Sequence, residues 1–169
     1  MRTRAAKPVS APTLGPSVDD AAQLALRVLQ GQASLREVAQ VPDDVMADLY
    51  ARACTEFERG AYAYASELLA ALVLAEPREP VYWQALGGCQ QARGQHDSAV
   101  RCFAVAALRD LQDPLNHFYA AQSWRALAQT TPALAAIEAA LGCAMGRPEH
   151  YETFCGALRL RDAIRAQAE

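Results

Sequence analysis

Small and hydrophobic residues recur along this chain at intervals of 34 positions. Counting Pro80 as position 1, small residues fall at positions 8 and 20 of three successive copies, and larger apolar residues fall at position 24. The residues at positions 8, 20 and 24 are Ala53, Ala65 and Leu69, then Gly87, Ala99 and Phe103, then Ala121, Ala133 and Ile137. Two helices approach closely only where small residues face each other, so the pattern predicts paired helices with a large residue packed between them.

A period of 34 residues is the length of the tetratricopeptide repeat, which is a pair of antiparallel helices. The spacing predicts helices at 44–58 and 62–75, at 80–93 and 96–110, and at 114–127 and 131–143. Gly60 and Gly94 stand where each of the first two pairs must turn. Ala128 occupies this place in the third pair, so the bend is predicted over Gln129 to Pro132 instead.

The predicted fold class is all-α, with three tandem tetratricopeptide-like helical hairpins between an N-terminal helix and a C-terminal capping helix. Residues 1–17 are rich in Pro, Gly, Ser and Thr and are predicted to form a disordered tail. An N-terminal helical region is expected at 18–45, the repeats at 46–79, 80–113 and 114–147, and the capping helix at 148–169. Within the N-terminal region, Ser34 and Glu37 have the spacing of a capping box.

The segment from Val18 to Gln30 carries an apolar stripe at helical spacing, formed by Leu24, Val28 and Leu29, and Gly31 is predicted to end it. Two interpretations of this stripe stay open. It packs on the first hairpin, or it docks on a second copy of the chain and makes a homodimer.

The net charge and the cysteine spacing bear on which kinds of partner and which cellular compartment are expected. The net charge is −3 and the pI is about 5.6, so no overall positive field attracts nucleic acid or an anionic membrane. The N-terminus has no apolar signal-peptide core, and no stretch reaches the length of a membrane span. The five cysteines show no CxxC spacing, so we expect reduced thiols in a cytoplasmic protein.

No group of residues has the spacing of a catalytic, metal or cofactor site. The three histidines, His96, His117 and His150, are far apart in the sequence and do not suggest a shared metal. Cys54 and Cys89 have no histidine at a local spacing that would activate a thiol nucleophile. We therefore expect a protein that is not an enzyme and that binds neither metal nor cofactor.

The chemistry instead points to a binding surface. In a stack of such hairpins the first helices line a concave side, where aromatic residues offer apolar walls and glutamines offer hydrogen bonds to an extended main chain. The candidate peptide-binding residues on this side are Ala47, Tyr50, Cys54, Phe57, Gln84, Gly88, Gln91, Phe118 and Gln122. An alternative is that the aromatic row belongs to the core or is covered by the N-terminal helix.

Three segments resemble one family within the repeat class, the class II chaperones of type III secretion, also called the SycD/LcrH group. They are LYARACTEFERGAYAYASELL from Leu49, WQALGGCQQARGQHDSAVRCF from Trp83, and DPLNHFYAAQ from Asp113. The pattern GxCxQAxGxxxxA from Gly87 to Ala99 is the most specific of these features, and the resemblance covers about residues 20 to 165.

The resemblance implies a cytoplasmic bacterial chaperone that keeps the hydrophobic translocator proteins of a type III secretion system soluble before export. It implies that an extended translocator segment lies in the groove, where the family's aromatic row corresponds to Tyr50, Phe57 and Tyr62. Cys54 stands where the family usually has an aromatic residue, which predicts a wider pocket. The resemblance also implies homodimers through the N-terminal region. An alternative role is that of an adaptor for an AraC-type transcriptional activator.

Overall fold

The computed structural model describes residues 18 to 166. The predicted disordered tail, residues 1–17, lies outside the described residues. The chain divides into two units, residues 1 to 33 and residues 34 to 169.

The first unit contains one described helix, α1, over Val18–Leu29. Its end is formed at Gly31, which adopts a φ of +68° and so reverses the chain. The Gln30 and Gln32 N–H groups donate back to the carbonyls of Leu26 and Arg27, each at 2.9 Å. The predicted stop at Gly31 is confirmed, and the two interpretations of the apolar stripe stay predictions.

Over its described residues, 34 to 166, the second unit is built from eight α-helices. They are α2 Leu35–Ala39, α3 Asp43–Glu58, α4 Tyr62–Ala75, α5 Pro80–Ala92, α6 His96–Arg109, α7 Pro114–Ala126, α8 Thr130–Ala144 and α9 Tyr151–Ala166, with a short 3-10 turn at Pro148–His150. From α3 onward each helix packs on the next, so α3–α4, α5–α6 and α7–α8 form three hairpins, and α9 packs on α8 and α7. No strand occurs between residues 18 and 166, and the all-α prediction is confirmed.

Helix starts follow directly from the sequence. Glu79 and Asp113 each precede a proline, and their carboxylates accept from the backbone N–H two residues on, at 3.4 Å to Val81 and 2.9 Å to Leu115. Proline fits the next position because its φ is fixed and its missing N–H is not needed there. The predicted capping box before α2 is also confirmed: the Glu37 N–H donates to Ser34 Oγ at 3.1 Å and the Ser34 N–H to Glu37 Oε2 at 2.9 Å.

The repeating small residues lie where the helices meet. Positions 8 and 20 of all three copies are buried, and the larger residues at position 24 are at most 2% exposed. In the second hairpin a Cβ placed on Gly87 of α5 would lie 2.7 Å from Cε1 of Phe103 on α6, which is closer than carbon atoms can approach. The absence of a side chain at Gly87 therefore sets the distance between these two helices.

The turns inside the three hairpins share one geometry. Gly60, Gly94 and Ala128 all have positive φ, at 79°, 72° and 56°. Each donates its N–H to the carbonyl three residues back, and the next residue donates to the carbonyl five residues back, all at 2.9–3.0 Å. The predicted bend over Gln129 to Pro132 is therefore wrong. The third turn keeps the repeat geometry with Ala128 in the left-handed conformation, and Thr130 already begins α8.

The last helix closes the stack. Ala157, Leu160 and Ile164 of α9 are buried against residues of α7 and α8. A Cβ added to Gly156 would lie 3.1 Å from the Phe118 ring, so α9 sits directly on that aromatic. Its other face carries charged residues such as Arg159 and Asp162, as predicted for a capping helix.

Gly87 and Gly88 offer a matched test of the helix spacing, because they are neighbours in one helix. Alanine favours a helix over glycine by about 0.5–1 kcal/mol. A Cβ on Gly88 meets nothing within 4 Å, whereas a Cβ on Gly87 meets the buried Phe103 ring. We expect Gly88→Ala to raise the free energy of unfolding and Gly87→Ala to lower it, since overpacking costs about 1–3 kcal/mol. Urea unfolding measures both, and equal effects would contradict this account of the hairpin.

Ala128 gives a second stability prediction. A left-handed conformation costs an L-residue about 1–2 kcal/mol, and glycine avoids this cost but loses more chain entropy on folding. We expect Ala128→Gly to stabilise the protein by about 0.5–1 kcal/mol, seen as a higher melting temperature. Gly60→Ala and Gly94→Ala are the matched controls and should destabilise, because their added methyl groups meet nothing and only the conformation changes.

Candidate functional site

A cavity of about 550 Å³ opens between the first helices of the three hairpins. The walls come from α3, α5 and α7, and the floor is reached by one side chain each from α4 and α6. The lining residues are Tyr50, Ala53, Cys54, Phe57, Glu58, Leu69, Gln84, Ala85, Gly88, Cys89, Gln91, Ala92, Phe103 and Tyr119. This placement follows from the repeat, since the first helix of each hairpin presents the same face to the same side.

Six of the predicted peptide-binding residues line this cavity together. They are Tyr50, Cys54, Phe57, Gln84, Gly88 and Gln91. Open space lies in front of Gly88, because a Cβ at this position would meet nothing within 4 Å. Without a side chain at Gly88, this space belongs to the cavity. Cys54 adds room on the opposite wall, where a thiol occupies less space than an aromatic ring.

The other four predicted residues lie outside the lining. Tyr62 packs its ring edge-on against Phe57, with 5.1 Å between ring centroids, and so contacts a lining residue without lining the cavity itself. Ala47 is exposed on α3. Phe118 packs with the cluster formed by α8 and α9, and Gln122 lies beside the cavity as an acceptor for Gln91 Nε2 at 3.4 Å.

Tyr119 is the aromatic that α7 contributes to the cavity, and the sequence prediction missed it. Its ring lies 5.6 Å from Phe103 and 5.9 Å from Phe118. Adjacent residues on a helix point about 100° apart, so only one of the two aromatics can face the cavity. Because α9 covers Phe118, Tyr119 takes that place. The adjacent Phe-Tyr pair was the available signal, but it did not say which residue faces inward.

The glutamines hold a defined orientation. Gln84 Nε2 donates to Asp113 Oδ2 at 3.2 Å, and Gln91 Nε2 donates to Ser123 Oγ at 3.2 Å. No donor among the described residues bonds the Oε1 atom of either side chain. These two carbonyl oxygens can therefore accept hydrogen bonds from a ligand.

Burial keeps two side chains of the cavity lining, Tyr50 and Cys89, in their neutral forms. Burial, reinforced by a hydrogen bond and charge interaction with Cys54, raises the pKa of Tyr50 to about 12. The Tyr50 ring packs on Tyr82 with 5.6 Å between centroids. Burial raises the pKa of the Cys89 thiol to about 11, so it is protonated at neutral pH and is a poor nucleophile. The cavity is thus suited to contact with apolar groups.

Comparison with known proteins identifies relatives of similar sequence and fold. No family model matches it. The low calcium response locus protein H of Yersinia pseudotuberculosis is 25% identical over 148 residues, covering 87% of this chain and 88% of that protein. The Yersinia enterocolitica type III secretion chaperone SycD, solved in complex with a peptide of the translocator YopD, is 25% identical with a TM-score of 0.73, covering 76% of this chain and 98% of SycD. Over most of its length the chain is similar to proteins of the SycD/LcrH group.

A second solved structure extends the match. A chain in a type III secretion complex from Aeromonas hydrophila has a TM-score of 0.82 at 25% identity, and the alignment covers 86% of this chain and 97% of that one. The resemblance to the SycD/LcrH group that the three sequence segments indicated is therefore confirmed. Like its SycD/LcrH relatives, the chain is helical, and none of the helices between residues 18 and 166 has the length and apolar character needed to cross a membrane.

Thiol labelling tests the cavity without a client. Cys54 is half-buried in the cavity wall, whereas Cys143 and Cys155 are half-buried elsewhere. We expect Gly88→Leu to slow alkylation of Cys54 by iodoacetamide, because the leucine fills the space in front of the thiol. Labelling of Cys143 and Cys155 is the internal control and should not change. Peptide mapping by mass spectrometry measures all three, and an unchanged Cys54 rate would contradict the geometry of the cavity.

Proposed function

We propose that this protein is a cytoplasmic, non-enzymatic chaperone of a type III secretion system that holds hydrophobic translocator proteins before their export. One observation carries the proposal: the cavity lies in a fold shared with SycD, which has been solved with a translocator peptide. The bound segment is extended and lies across the first helices of the three hairpins. Tyr119 and the six predicted residues that line the cavity form its surroundings, and Tyr62 and Gln122 contact these lining residues.

The physical need for such a chaperone follows from its client. A translocator carries membrane-seeking segments that aggregate in water when exposed. A chaperone that binds one segment keeps the client in a soluble complex. The adaptor role for a transcriptional activator is not favoured by the relatives, which are secretion chaperones.

The cavity contains the groups that this task requires. Micromolar affinity corresponds to about 8 kcal/mol. Apolar anchors seated between Tyr50, Phe57 and Tyr119 supply part of this free energy by burial, and main-chain hydrogen bonds to the free Oε1 atoms of Gln84 and Gln91 fix the segment's register. Ordering the segment offsets part of the gain, which keeps the complex dissociable.

The assembly state is part of the proposal. The free protein is a homodimer, and α1 is the element through which it forms. SycD has been solved in a structure described as an alternative dimer, which supports dimerisation of this chain without specifying its interface.

The proposal is tested by co-expression. The tagged chain is produced with each translocator encoded in the same secretion system and analysed by size-exclusion chromatography with light scattering. We expect a soluble complex with one chaperone per client. Translocators that precipitate while this chain elutes alone would contradict the proposed client class.

Aromatic variants locate the binding surface. Phe57 lines the cavity and is 38% exposed, whereas Tyr64 on α4 lies outside it, is 39% exposed and packs under Arg52. We expect Phe57→Ala to weaken client binding by about ten-fold or more, as for a buried aromatic anchor, with helix content unchanged. Tyr50→Ala should act in the same direction, and Tyr64→Ala is the control. Calorimetry with the bound client segment measures the change, and equal affinities for all three variants would place the segment elsewhere.

A further inference from the structure

Charge is distributed unevenly around the cavity. Of the fourteen described residues that line it, Glu58 is the only one that carries a charge at neutral pH. The others are apolar residues, glutamines, tyrosines and cysteines. A group entering the cavity therefore meets one carboxylate on an otherwise neutral surface.

This carboxylate lies at the negative end of a helix. Glu58 is the last residue of α3, and the last turn of α3 contains no basic residue. The carbonyl end of a helix carries a partial negative charge, so a second negative charge there is unfavourable and a cation is attracted. The local potential at this side of the cavity is negative for both reasons.

The nearby cations have other partners. Arg59 pairs with Glu56 at 3.2 Å, and Arg52 lies 5.6 Å from the Tyr64 ring centroid. The Arg93 guanidinium donates to Ser66 Oγ and Gln90 Oε1 at 3.5 and 3.4 Å. Within the described part of the chain, the carboxylate of Glu58 has no hydrogen bond or ion pair. Its carboxylate is available to a ligand.

We infer that Glu58 selects client segments that carry a lysine or arginine next to the apolar residues seated in the cavity. The inference rests on the proposed function and adds the charge of the preferred segment. The basic group pairs with Glu58 at the cavity edge, and an acidic group at the same place is repelled. Because Glu58 is exposed, the pair acts mainly on association and on its salt dependence, and its loss weakens affinity by about two- to five-fold.

A peptide selection tests this inference without knowledge of the client. Random 12-residue peptides displayed on phage are selected on the wild-type protein, on Glu58→Lys and on Glu67→Lys. Glu67 is an exposed glutamate on α4 outside the cavity lining, so it controls for the change in net charge. We expect Lys and Arg to be enriched on the wild type and on Glu67→Lys, and Asp and Glu to be enriched on Glu58→Lys.

A charge cycle then measures the pairing. One selected peptide and its Lys→Gln version are titrated against the wild type and Glu58→Gln at low and high salt. We expect the Lys peptide to bind the wild type about two- to five-fold more tightly than the Gln peptide at low salt, and the two to bind Glu58→Gln equally. Glu58→Gln keeps the shape of the side chain, and circular dichroism melting verifies that each variant folds.

The outcomes separate the two proposals. If peptides bind but their charge preference is the same on the wild type and Glu58→Lys, the role of Glu58 is overturned and the peptide-binding function stands. If no peptide binds the wild type, while the co-expressed translocators also remain unbound, both proposals fail. Equal affinities of the two peptides for the wild type would overturn the inference as well.

Discussion

The close approach of paired helices at small residues is the constraint on which the stack depends. Gly87 lies directly beneath the Phe103 ring, and alanines occupy the same place in the other two hairpins. A larger residue at this position would separate the helices of a hairpin and shift every helix that follows, because each packs mainly on its neighbours. The cavity inherits its shape from this spacing, since its walls are the first helices of consecutive hairpins.

The cavity itself results from small residues on its walls. Gly88 leaves open space on α5, and Cys54 leaves space on α3. Gly87 and Gly88 are neighbours on one helix, but they have different structural roles. At Gly87 the missing side chain permits packing, whereas at Gly88 it leaves a volume into which another molecule fits.

Much of this architecture was predictable, because single residues at fixed positions of the repeat determine where helices start, turn and pack. Pro80 and Pro114 mark helix starts, Gly60 and Gly94 mark turns, and the structure places these features where the 34-residue period predicts. Two features were not predictable. Whether Phe118 or Tyr119 faces the cavity depends on how α9 packs across α7, which no spacing within α7 encodes. The conformation of Ala128 depends on the hydrogen bonds of the whole turn, which outweigh the local preference of alanine.

Gln84 connects the cavity to the stacking of the hairpins. Its amide nitrogen is held by Asp113, the residue that caps the first helix of the next hairpin, while its carbonyl oxygen is presented to the cavity. Asp113 therefore caps a helix in one hairpin and fixes the orientation of the Gln84 amide in the hairpin before it. A segment that uses this acceptor and touches all three hairpins stabilises their assembly by the free energy of its own binding, because the two equilibria are thermodynamically linked. Loosening any one hairpin would therefore lower the affinity for such a segment, so the stability of the stack and the strength of binding would change together.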